Sequence, residues 1–272
     1  MTLQDYSPLK IDALASTRAM PDDLIAAIPV LMVNRLGTTP TAYMKTENFL
    51  SHCEPGKNYR VSIDEGFVPS DEGPAPRPKP VQPPHLVLDG QWDEAINYTN
   101  DSSNILGGNG RYVHSSGKTE IVIPVAETTA EHLAYYGSWL VKSGNPVRFE
   151  STGNLPVTVT SVGHDYPQNY LLREELGGGA YLEVHDRPHF HMPLEHNNGG
   201  YLIIGKMGDD GIKRVSAFHI PYGYGIHMGP WVIHSDAYII GRHLVIYSAT
   251  PEFSTVILRD AENELTSIKF AT

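Results

Sequence analysis

The sequence predicts an all-β-dominated fold, a sandwich or barrel with a few helices and an N-terminal extension. The first observation is a series of short segments rich in β-branched and aromatic residues. They are TEIVIPV (119–125), LPVTVTSV (155–162), AYLEVH (180–185), YLIIG (201–205), RVSAFHI (214–220), HLVIYS (243–248) and STVILR (254–259). The second is their punctuation by Gly, Pro, Asn and Asp, which break regular structure and seed turns. The third is their spacing. Short strands follow one another closely instead of alternating with long helical patterns, which favours a sandwich or barrel over a parallel α/β sheet.

Taken in order, the elements begin with MPDDLIAAIPVLMVNRLG (20–37). Pro21 and two acids form a helix start, an apolar face follows, and Gly37 is the stop. Pro29 predicts a kink or an early end. Residues 69–84, PSDEGPAPRPKPVQPP, hold seven prolines, too many for a helix or a central strand. The expected form is an extended connector or an arm laid over a surface. The organisation read from this is an N-terminal extension over 1–84, with a helix and a proline-rich connector, followed by a β-barrel domain over 85–272. Inside that domain Thr128-Thr129-Ala130-Glu131 reads as a capping box, and Gly137 after HLAYY as the end of the same helix. The glycine-rich stretches LGGNG (106–110) and LGGGA (176–180) lack the strand–helix context of a phosphate-binding loop and read as turns.

Charge narrows the function classes. Among 272 residues, 31 are acidic and 20 basic, a formal charge of −11. Such a surface repels phosphate backbones and anionic lipid, so neither nucleic acid nor membrane is an expected partner. The single cysteine, Cys53, excludes an intramolecular disulfide and a thiolate metal cluster. No run approaches the ~18 apolar residues of a membrane span, and the N-terminus lacks a basic region followed by a long apolar stretch. The expectation is a cytoplasmic protein whose partner is a small-molecule substrate.

Histidine is the exception to an ordinary composition. Of 13 histidines, eight fall between 185 and 243, which places the expected chemistry in that window. His189-Phe190-His191 is its centre. In a strand, residues i and i+2 share a face, so the two imidazoles stand side by side while Phe190 enters the core. Glu195 follows in reach of the same spot, and His227 or His234 is available from a distant strand. Two or three histidines and a carboxylate suit a divalent ion such as Fe, Mn, Zn or Ni. The expected metal ligands are His189, His191, Glu195 and His234.

This arrangement, HxH with a nearby Glu and a later His after a Gly/Pro turn, resembles the cupin motifs. A narrower resemblance spans residues 119–248. Thr129-Ala130-Glu131-His132-Leu133-Ala134-Tyr135-Tyr136-Gly137, Leu182-Glu183-Val184-His185, Tyr201-Leu202-Ile203-Ile204 and Ser216-Ala217-Phe218-His219 with Gly225-Ile226 and Gly229-Pro230-Trp231 resemble, in order, segments of the ureidoglycolate lyase family. Where that family has His-His after the tryptophan, this chain has Val232-Ile233 and then His234. The resemblance implies a cupin-like β-barrel (a double-stranded β-helix), often a homodimer, that splits ureidoglycolate into glyoxylate and urea. In such a lyase the metal polarises substrate oxygens, and His227, Glu183 or His185 serves in catalysis. Arg187, Lys206 and Arg242 are the nearest cations for a substrate carboxylate, and Tyr222, Tyr224 and Trp231 are candidate pocket walls. The alternatives are a non-haem Fe(II) dioxygenase and a non-catalytic ligand-binding protein on the same fold.

Overall fold

The computed structural model describes residues 33–63, 65–93, 110–248, 250 and 253–272. Most of the predicted helix over 20–37, and the LGGNG turn up to residue 109, lie outside them. Strands account for 51% and helices for 5%, so the all-β expectation holds at the level of class, and the described residues form no closed barrel. No helix among them is long and apolar enough to cross a membrane.

The described residues form three sheets. The first runs Asn34–Leu36, Tyr43–Cys53, Leu155–Val162, Ile239–Ile246, His189–Pro193, Tyr224–Met228, Ser138–Lys142, with Gly199–Gly200 added to Ile239–Ile246. The second, larger sheet runs Ser267–Ala271, Glu120–Ala126, Lys213–Phe218, Leu202–Met207, Ile233–Ser235, Tyr181–His185, Phe253–Arg259, Gly110–His114, Gly90–Asp93, with Leu86–Leu88 beside Lys213–Phe218. The third is small: Pro146–Arg148, Asn58–Ser62 and Gly66–Ser70.

Alternation of side chains shows how they stack. Every residue of Leu155–Val162 is buried, which a sheet achieves only when both faces are covered. Val157 and Val159 pack with Tyr59, Val61 and Phe67 of the small sheet, whereas Val162 joins the core shared with the large one, which includes Leu182, Ile204 and Phe218. The first sheet is therefore a middle layer between the other two. The Tyr43–Cys53 strand pairs along the whole of Leu155–Val162, so residues placed by sequence in an N-terminal extension are integral to this layer.

The proline-rich segment behaves as an arm on a surface. Residues 71–85 have no regular structure, and they are tied down at intervals. Arg77 donates to the Gly137 carbonyl at 3.3 Å, the Val81 N–H donates to the Glu131 carbonyl at 3.1 Å, and Ser216 Oγ donates to the Pro84 carbonyl at 2.6 Å. The arm thus crosses the helix Ala130–Tyr135. That helix starts one residue later than the capping-box reading. Thr129 is the N-cap, its side chain accepting the His132 N–H, and Gly137 ends the turn at φ 79°.

Candidate metal centre

A cluster of polar side chains is set into the apolar core between the middle and large sheets. From the middle sheet, His189 and His191 share one face of their strand as their spacing demands, and Phe190 packs on the opposite face, edge-on to Phe149. From the large sheet, Glu183 is paired in register with His234. His185 shares the face of Glu183 two residues along. One potential ligand atom each from Glu183, His185, His189 and His234 lies within 4.8 Å of the others, all four residues buried. His189, His191 and Asp236 make a second, overlapping set of the same compactness.

Hydrogen bonds fix which nitrogens face inward. His185 Nδ1 is 2.6 Å from the Arg187 carbonyl, and His234 Nδ1 is 2.9 Å from the Val232 carbonyl. Each backbone acceptor takes that Nδ1 hydrogen, which leaves Nε2 as the ligand atom. His234 Nε2 then faces Glu183 Oε1 and His189 Nδ1, both at 3.1 Å. The Nε2 atoms of His185 and His189 are buried without partners, and so are both nitrogens of His191. Lone pairs converge here with too few hydrogens to satisfy them. A divalent cation satisfies such a set, and a three-histidine, one-carboxylate site suits Fe, Mn, Zn or Ni.

Electrostatics agree with the donor count. Burial, with the neighbouring His234 ring, pushes His185 down to about 3. Burial and the adjacent imidazoles hold His189 and His191 far below the usual histidine range, so these rings are neutral and able to ligate. His234 moves the other way: burial opposes its charge, but the Glu183 carboxylate outweighs burial and raises it.

Around this set lies a further polar shell. His191 Nε2 is 3.6 Å from Asp236, which accepts a 2.5 Å hydrogen bond from the Tyr181 hydroxyl. His243, whose Nε2 has no partner, sits with its ring 6.4 Å from that of His191. Arg35 is the buried cation of this region. Burial disfavours its charge, but Tyr166, Tyr181 and Asp236 overcome that and raise it, and it donates to the Tyr166 hydroxyl at 3.1 Å.

The structure redistributes the expected roles. His189 and His234 join the four-residue set, and His191 belongs to the smaller one with Asp236. Glu195 does not approach either: the strand ends at Pro193, Leu194 N–H donates to the Arg242 carbonyl, and Glu195 is exposed in the turn that follows. The carboxylate that lies with these histidines is that of Glu183, and His185 joins the same set. His227 pairs in register with Phe190, so its side chain lies on the far face of the middle sheet, against Phe149 and Trp139.

The expected substrate cations are engaged elsewhere. Arg187 lies over Gly153 and donates to Thr152, Lys206 sits 3.4 Å over the Tyr135 ring, and Arg242 is 2.7 Å from Glu47. Tyr222 packs on His196, Tyr224 is half-buried at its strand's start, and Trp231 is 60% exposed. Sequence reasoning missed Asp236, Tyr181, His243 and Arg35. Asp236 lies one residue beyond the Ile233–Ser235 strand that carries His234. Comparison with protein-family models, with curated proteins and with solved structures finds no match to this chain.

Proposed function

We propose that the protein is a metal-dependent enzyme of cupin type, a lyase acting on a small polar carboxylate such as ureidoglycolate. The observation that carries this reading is the buried convergence of Glu183, His185, His189 and His234, with two imidazole nitrogens left without partners. We also propose that the two facing sheets are an opened version of the cupin barrel, because the site lies between them as a barrel interior would. A bound divalent ion would supply Lewis acidity, drawing electron density from substrate oxygens. His191 lies beside it, its ring neutral, both nitrogens unpartnered and Nε2 3.6 Å from Asp236, so it is placed to accept a hydrogen bond from a substrate hydroxyl. Arg35 supplies the buried positive charge that favours an anionic substrate.

A second reading, a non-haem Fe(II) dioxygenase, draws on the His189, His191, Asp236 set, two imidazoles and one carboxylate. Elemental analysis of the full chain, with assays of urea release from ureidoglycolate and of oxygen uptake, separates the two. The lyase reading expects stoichiometric metal and oxygen-independent turnover, both lost in His189→Ala. Oxygen uptake with bound iron supports the second reading. Metal and turnover retained in His189→Ala overturn the site.

A further inference from the structure

Glu183 stands between two neighbours in the large sheet. On one side it pairs in register with His234 and turns Oε1 to that ring's Nε2 at 3.1 Å; on the other it pairs with Thr255. Residues directly opposite in antiparallel strands project from one face, with Cβ atoms about 4.5–5.5 Å apart. Thr255 therefore faces the same interior as Glu183 and His185. Its chain neighbour fits this alternation: Ser254 lies on the other face and accepts the Trp92 indole N–H at 2.8 Å.

Thr255 is 1% exposed, and its hydroxyl has no hydrogen-bond partner. Valine would fill the same space without burying a polar atom, so an unpaired hydroxyl here calls for an occupant that pairs with it. The surroundings indicate which occupant. His185, His189 and the Glu183 carboxylate offer lone pairs, and these fit a cation. Thr255 adds a hydrogen, which a cation cannot use and an anion can. A divalent ion more than offsets the single Glu183 charge, so the space beside the pair favours an anionic oxygen.

We infer that Thr255 is a binding residue of the metal centre, donating its hydroxyl hydrogen to an oxygen of a small carboxylate that sits beside Glu183. The β-branched side chain is stiff at χ1, which limits where that hydrogen can point. The inference rests on the reading of Glu183, His185, His189 and His234 as metal ligands, and it adds a group that meets the anion rather than the ion.

The full-length protein is loaded with Co(II), whose visible bands report its ligands, and is titrated with acetate and, separately, with imidazole. Acetate oxygens accept hydrogen bonds, whereas imidazole attached through its lone pair accepts none. Thr255→Val should load Co(II) as the parent does, bind acetate about 10-fold more weakly or worse, and bind imidazole unchanged. Thr255→Ser, which restores the hydroxyl, should return acetate binding to near that of the parent. Thr255→Ala, which adds no bulk, carries the same comparison if the valine variant does not fold. Equal acetate binding by the parent and the hydroxyl-free variants, equal weakening of acetate and imidazole, or no acetate binding by the parent overturns the proposal and leaves the metal centre standing. Loss of Co(II) from both Thr255→Val and Thr255→Ala overturns it too, because Thr255 would then serve the ion. A parent that takes up no Co(II) overturns the centre itself, and this inference with it.

Discussion

Glu183 and His234 define the chemistry of the centre, because each makes the other's buried state tolerable. A carboxylate buried beside an imidazole needs a shared proton or a cation. Glu183→Gln keeps the shape, removes the charge and turns one acceptor into a donor aimed at ligand nitrogens. Metal affinity should fall by at least about 10-fold, the lower end seen when even outer-shell partners of a metal are lost. Glu195→Gln should leave affinity unchanged, because Glu195 is exposed beyond the strand end. Isothermal titration with Mn(II) or Zn(II) on both variants measures the contrast. At this scale the sequence was readable wherever side-chain alternation decides the outcome. His189 and His191 share a face for that reason. Nearness along the chain misled for Glu195. The carboxylate that lies in the buried set, Glu183, is 51 positions from its partner His234 and reaches it only through strand pairing, which no local pattern encodes.

Among the elements, the Gly229–Val232 turn touches two of the candidate ligands. Trp231 adopts φ 63°, left-handed backbone that a side chain disfavours by about 1–2 kcal/mol. Its N–H donates to the His185 carbonyl at 2.8 Å, and the next residue's carbonyl receives His234 Nδ1. One turn therefore braces two candidate ligands from different strands. Trp231→Ile puts a β-branched residue into this conformation and should lower stability by about 1 kcal/mol or more, with weaker metal binding. Trp231→Gly fits the same φ and should fold at least as stably. Thermal midpoints and metal titrations of the pair decide it; equal behaviour of both variants would show that the turn is not a brace. The strands themselves were legible because β-branched runs between breakers carry their own signal, and seven segments read from sequence match observed strands to within a few residues. The site's far half was not, since it depends on Glu183 pairing with His234 and on His227 pairing with Phe190.

For the whole molecule, three stacked layers bury ionisable rings on both faces of the middle sheet, and this makes stability sensitive to acid. His227 and His243 lie outside the four-ligand set on opposite faces of that sheet, and burial holds them at about 3 and about 4. In the unfolded chain each titrates near 6.5. Both folded values are depressed for a base, so the unfolded state takes up protons first as pH falls. Their contribution is fully present above about 6.5 and is lost progressively below it, down to the folded values. One unit below the unfolded value, each costs about 1.4 kcal/mol, together about 3 kcal/mol, a substantial part of a typical domain's stability. Urea midpoints of the metal-free protein should fall steeply between about pH 6.5 and 5. His227→Phe and His243→Phe should each flatten that slope, and the double variant should flatten it further, since sites on opposite faces of a sheet add. Metal should oppose the loss near neutral pH, adding about 2.7 kcal/mol at a free concentration 100-fold above its dissociation constant. That protection should fade on acidification, because proton and cation compete for the same imidazole lone pairs. An acid limb unchanged in the double variant would mean that the two rings are already protonated in the folded protein, and that the layers enclosing them admit water.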